Sequence, residues 1–134
     1  MKNNNYNKTQ HSVYKLTYHL ILVVKYRKNV ITNDIADTIK ITIERFNKNY
    51  NLDIIEYNYE KNHLHLLFSI KPDANIQKIV NAIKAVTSRI VRKNHPEIKT
   101  ILYDNAFWSK GYFIATTGDV STEIIKQYIE NQNK

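Results

Sequence analysis

The sequence predicts an α+β sandwich of ferredoxin-like, or RRM-like, type: an antiparallel sheet with helices on one face and an additional C-terminal helix. Two observations carry this. Segments of period-two hydrophobicity and of helical hydrophobicity follow one another as strand, helix, strand, strand, helix, strand, helix. The 134 residues hold only two glycines and two prolines, with no linker, repeat or low-complexity tract beyond the Asn-rich start, so one compact unit over 13–134 is expected behind a flexible lead of residues 1–12.

Residues 13–26 read as the first strand. Tyr14, Leu16, Tyr18, Leu20, Leu22 and Val24 alternate onto one side; the other side begins polar, with Lys15, Thr17 and His19, and turns apolar at Ile21 and Val23. Thr32 can cap a helix running to about Tyr50, with Ile35, Ile39, Ile43 and Phe46 at helical spacing. Residues 52–59 and 63–70 read as two strands joined by a tight turn at Glu60, Lys61 and Asn62. Asp73 or Asn75 can cap the next helix, whose stripe is Ile76, Ile79, Val80, Ile83, Val86, Ile90 and Val91. Residues 94–100 are a connection. Residues 106–116 suggest a hairpin or strand pair around Ser109, Lys110 and Gly111. Ser121 can cap a last helix reaching Asn131, with Glu123 in its positive first turn. Helices on one face leave the other face of the sheet for another use.

The composition narrows that use. A net charge of +8 favours a polyanionic partner, nucleic acid first. No run of residues is apolar enough for a membrane span, and the polar N-terminus has no secretion signal. The absence of cysteine excludes disulfides, thiolate zinc sites and a cysteine nucleophile, and it fits a cytoplasmic protein.

The sharpest local signal is His63-Leu64-His65. Residues two apart on a strand point to one side, with Cα atoms roughly 6.5 Å apart, so two imidazoles can converge on one metal ion. Two histidines satisfied by water or neighbours would give the same pattern. On the last helix Tyr128 and Gln132 lie four residues apart, on one face. The Gln132 amide oxygen is a hard ligand suited to Mg²⁺ or Mn²⁺. The Tyr128 phenol, with an ordinary pKa of about 10, becomes a nucleophile when its proton is removed or its anion stabilised. Packing of Tyr128 with Ile124, Ile125 and Ile129 is the alternative that spacing leaves open. Lys25, Arg27 and Lys28, with Lys84, Arg89, Arg92 and Lys93, can neutralise phosphates or form solvated surface. Phe107, Trp108, Tyr112 and Phe113 can stack on unpaired bases, although core packing suits at least two of them. Gly118 is either a hinge or a tight turn.

Five segments in order, Lys25-Tyr26-Arg27, NHLHLLF (62–68), IKAVTSRI (83–90), WSKGYF (108–113) and TTGDVSTEIIKQYIENQ (116–132), resemble the single-tyrosine HUH transposases of TnpA type from small insertion sequences that move as single-stranded DNA. The resemblance covers roughly residues 13–132. It implies that His63 and His65 bind Mg²⁺ or Mn²⁺, that Gln132 completes the metal site, and that Tyr128 is the nucleophile. It also implies a 5′-phosphotyrosine intermediate with a freed 3′-hydroxyl, binding of DNA hairpins near element ends, and a homodimer in a bacterial or archaeal cytoplasm. The position before the first histidine is often acidic in related sequences and is Asn62 here. Glu60 is the nearest carboxylate, ranked below Gln132 because a turn residue converges poorly with strand histidines. The other readings are a ferredoxin-like module that grips nucleic acid without cutting it, and a metal phosphoesterase acting on small nucleotides or RNA.

Overall fold

The computed structural model describes residues 15–45, 50–102, 104–116 and 122–131, with side chains from 126 onward in the last of these stretches. The expected order holds: β1 (Leu16–Val23), α1 (Asn33–Glu44), β2 (Asp53–Glu60), β3 (His63–Ile70), α2 (Ile76–Asn94), β4 (Phe113–Thr116) and α3 (Thr122–Asn131). The strands form one antiparallel sheet in the order β2-β3-β1-β4, the α+β arrangement that the alternation of periods predicts.

Local chemistry sets the element ends. Thr32 Oγ1 accepts from the Ile35 amide at 3.2 Å and starts α1. Of the two candidate caps for α2 it is Asn75 that acts, accepting from the Lys78 amide at 3.1 Å. Lys61 and Asn62 make the turn between β2 and β3, since Glu60 stands opposite His63. That turn is pinned by the chain after β1. The Lys61 carbonyl accepts from the Val30 and Ile31 amides at 2.9 and 2.8 Å, and the Asn62 carbonyl from Val24 at 2.9 Å.

One face of the sheet carries the main core. Leu20, Leu22, Leu64, Leu66 and Phe68 are at most 1% exposed and pack with α1 through Ile35, Ile39 and Ile43 and with α2 through Ile79, Val80 and Ile83. Burial of such side chains contributes roughly 1.5–3 kcal/mol each. The stripe of α2 is less uniform than its periodicity suggests. Thr87 is fully buried within it because its hydroxyl accepts from the Trp108 indole N–H at 2.9 Å while donating to the Ile83 carbonyl at 2.6 Å.

Two expectations change. The first strand is shorter: it ends at Val23, and Lys25–Arg27 form a 3-10 turn in which Tyr26 and Arg27 have positive φ. Residues 106–116 do not form a hairpin. Trp108 bridges to Val24 and β4 pairs with β1, so both parts run beside the same neighbour. The Lys25 amide donates to the Phe107 carbonyl at 2.9 Å and the Ser109 amide to the Val23 carbonyl at 2.7 Å, which leaves these groups unavailable for a hairpin ladder. Phe107 and Trp108, 0% and 5% exposed, are core and not stacking platforms. The described α1 ends at Glu44; Tyr14, Phe46, Gly118, Ser121 and Gln132 lie outside the described residues.

Candidate active site on the second sheet face

Register decides what the opposite face displays. Val23 pairs with His63 and Ile21 with His65; Glu60 and Asn58 stand opposite the same two histidines from β2; Phe113 of β4 pairs with Ile21. Paired residues share a face, so His63, His65, Glu60, Ile21, Val23 and Phe113 lie together, away from α1 and α2. Ile21 and Val23 are 0% and 1% exposed yet outside the main core. Helix α3 packs against β1. Its Tyr128 ring lies 5.6 Å from that of Phe113, centroid to centroid. The apolar turn of the odd positions at Ile21 and Val23 is thus the seat of the C-terminal helix.

The two imidazoles are held differently. His63 Nδ1 is 2.8 Å from Asn62 Oδ1. With that oxygen as acceptor, Nδ1 carries the proton and Nε2 keeps its lone pair. Asn62 therefore orients the His63 ring, as an acidic residue at that position could. His65 Nε2 meets His19 Nδ1 at 3.0 Å, and its Nδ1 is the other candidate donor. Burial is the largest influence on both rings and holds their pKa values below the usual histidine range; Glu60 opposes this at His63, and Glu56 at His65, where His19 adds to the lowering. Both are thus neutral at physiological pH, as a metal ligand must be.

Tyr128 is half-buried, and its hydroxyl is a buried polar atom without a hydrogen-bond partner among the described residues. Burial, then the charge of Tyr112, pushes its pKa up to about 12. A buried polar group left unpaired costs free energy, so this hydroxyl is held at some expense to stability.

Between the β2–β3 turn and α3 lies a cleft of about 440 Å³ lined by Arg27, Asn29, Glu60, Lys61, Asn62, His63, Lys126, Ile129 and Glu130. It opens at His63. Glu60 belongs to it as the last residue of β2, directly opposite His63, so the carboxylate is better placed than a turn residue would be. Among the described residues no three of His, Cys, Asp and Glu cluster closely enough to hold a metal alone. The two imidazoles supply two nitrogen donors for a divalent cation, and such a site would need further ligands.

The basic residues divide into two groups. Lys25 pairs with Asp104 at 2.9 Å, Arg27 Nη1 donates to the Glu130 carbonyl at 3.2 Å, and Lys28 is exposed; of these, Arg27 lines the cleft. Lys84, Arg89, Arg92 and Lys93 stand on α2, which packs on the other sheet face, so they do not join the histidines. Lys84 is engaged locally: it donates to the Lys110 carbonyl at 2.6 Å, lies 5.6 Å from the centre of the Tyr112 ring, and burial lowers its pKa. Arg92 Nε donates to Ser88 Oγ at 3.3 Å. His19 and Lys126 had no motif to mark them, and only the register and the docking of α3 reveal them.

Comparison with known proteins bears on the family and the fold. A family model described as "Transposase IS200 like" matches residues 12–132. The ISDra2 transposase TnpA of Deinococcus radiodurans is 33% identical over 121 residues, covering 90% of this chain and 86% of the relative. A crystal structure provisionally described as a transposase of the same organism superposes with a TM-score of 0.83 at 30% identity, over 95% of this chain and 98% of the other. A REP-associated tyrosine transposase bound to a REP hairpin shares the fold, with a TM-score of 0.57 at 9% identity over 95% of this chain and 70% of that one.

Proposed function

The chain belongs to the IS200-like transposase family, and from that membership we propose that it cuts and rejoins single-stranded DNA through a 5′-phosphotyrosine formed on Tyr128. His63 and His65 would hold a divalent cation, Mg²⁺ or Mn²⁺, with Gln132 completing the site. The substrates would be DNA hairpins, as in the structure of the REP-associated relative, and the working form a homodimer. The observation that carries the reading is the unpaired, buried Tyr128 hydroxyl on the sheet face that also bears both histidines.

The chemistry follows from the residues. Tyr128 Oη attacks the scissile phosphorus; the new bond joins the phenolic oxygen to the 5′ phosphate, and the bond from phosphorus to the 3′ oxygen breaks. That oxygen leaves as a 3′-hydroxyl and takes up a proton, while the phenol gives one up. One phosphodiester replaces another, so attack of a 3′-hydroxyl on the phosphotyrosine rejoins a strand. A bound cation would neutralise phosphate charge and polarise the phosphorus. His63 would hold it through Nε2, the nitrogen left with its lone pair by the Nδ1 contact to Asn62, and Glu60, paired with His63 across the strands, would add negative charge to the site. With its pKa pushed up to about 12, Tyr128 is protonated at neutral pH, and attack needs a means of removing that proton.

Incubation with labelled single-stranded hairpins and Mg²⁺, followed by a denaturing gel, tests this. A protein band shifted by covalent DNA is expected, and Tyr128→Phe is expected to bind the hairpin yet give none. Binding without any nicking by the unaltered protein would favour a non-catalytic nucleic-acid module instead.

A further inference from the structure

The corner after β1 is strained in a way that its sequence does not require. Tyr26 (φ 58°, ψ 16°) and Arg27 (φ 54°) are consecutive non-glycine residues in the left-handed region. Each such residue costs roughly 1–2 kcal/mol. The turn is closed on both sides, by the Arg27 amide donating to the Val24 carbonyl at 2.7 Å and the Lys28 amide to the Lys25 carbonyl at 3.3 Å. Asn or Gly would take this geometry at less cost. Strain that persists at one corner is a pointer to use.

The strain has a visible product. Tyr26 is turned outward, 56% exposed, the most exposed of the large hydrophobic side chains among the described residues. Arg27 is turned inward, where it lines the cleft at His63 and reaches the Glu130 carbonyl of α3. Lys25, tied to Asp104, lies 5.5 Å from the centre of the Tyr26 ring and fixes that ring from one side. Two adjacent side chains thus face opposite ways: an open aromatic surface at the rim and a guanidinium in the cleft, where Lys61 and Lys126 add two further cations against Glu60 and Glu130. The cleft's volume of about 440 Å³ is within the range of small-ligand sites.

We propose that this corner is a binding site for the unpaired nucleotides that flank the scissile phosphate: one base stacks on Tyr26 at the rim, and the phosphate next to it enters the cleft against Arg27, with Lys61 and Lys126 beside it. The site would feed the strand toward His63. It rests on the single-stranded DNA reading above and adds a residue, Tyr26, whose ring does not touch the reacting atoms and serves to position the strand. Base stacking on an aromatic ring is tolerant of sequence and accounts for a large share of single-strand affinity.

The test uses the full chain, a chelator so that no cleavage occurs, and oligothymidylate carrying 5-iodouracil as the probe. Irradiation is expected to crosslink the peptide containing Tyr26. Tyr26→Asn, which suits the left-handed turn and so keeps the fold, is expected to lose the crosslink and bind about tenfold more weakly, while Tyr26→Trp retains both. Arg27→Gln should lower the salt dependence of binding by about 0.7 in log–log slope, the share of one phosphate. Crosslinks confined to other peptides, or Tyr26→Asn binding as tightly as the unaltered chain, would overturn the proposal. Because nothing is cut in this experiment, its outcome is separate from whether Tyr128 forms an adduct.

Discussion

At the residue scale, Tyr128 combines two features that ordinary core tyrosines do not: a hydroxyl buried without a described partner and a pKa pushed up to about 12 by that burial. Removing the oxygen should therefore not harm the fold. Tyr128→Phe is expected to unfold at the same free energy or up to about 1 kcal/mol higher, measured by urea denaturation, since it removes an unsatisfied group. Marked destabilisation would mean that the hydroxyl has a structural partner. Asn62 gives a second prediction. Its Oδ1 orients His63, so Asn62→Ala should weaken Mn²⁺ binding about 10- to 100-fold, read by titration calorimetry, whereas Asn62→Asp should retain or improve it. The two-residue spacing of the His-x-His pair made its shared face legible, whereas for Tyr128 spacing left core packing open and its expected role came from the resemblance of the terminal segment. Tyr26 and His19 were not legible. Nothing in Tyr-Arg announces positive φ, and His19 meets His65 only through the pairing of two distant strands.

At the element scale, the central strands show how alternation becomes architecture. Even-numbered positions of β1 and β3 build the core against α1 and α2, and odd positions of β1, polar and then apolar, pass from open sheet to the bed of α3. Leu66, 0% exposed beside His65 in sequence and facing the opposite layer, should cost about 2–5 kcal/mol when changed to Ala, and the loss should carry the site with it. Thr87→Val tests a single buried hydrogen bond: the Trp108 indole loses its acceptor, for an expected cost of about 1–3 kcal/mol, measurable by denaturation followed through the sole tryptophan. The caps at Thr32 and Asn75 were readable from residue type. The segment around Ser109 was not, because its hydrogen bonds go to Val23 and Val24 and not to its own neighbours; local turn residues suggested a hairpin where tertiary pairing prevailed.

At the scale of the whole molecule, the fold separates stability from chemistry. One sheet face is closed by two helices and holds most of the apolar interior; the other carries the histidines and receives the C-terminal helix only in part. Charge is spread over both, and among the described residues no helix is long and apolar enough to cross a membrane. The α2 cations Arg89, Arg92 and Lys93 are remote from the cleft, so charge reversal there should alter DNA affinity and its salt dependence without abolishing covalent adduct formation. Adduct formation that vanished with hairpin binding intact would tie α2 to the reaction. The fold class followed from the sequence because period two and period 3.6 alternate cleanly along the chain. The cleft did not, since it exists only where three segments distant in sequence, the corner after β1, the β2–β3 turn and α3, come together.

The claim on which all of this turns is that the Tyr128 oxygen becomes bonded to DNA phosphorus. Mass spectrometry of protease-digested protein–DNA product addresses it directly. A single modified peptide is expected, spanning the last helix, with a nucleotide joined through its 5′ phosphate to Tyr128. A nucleotide found on any other tyrosine, or cut DNA with no modified peptide at all, would contradict it.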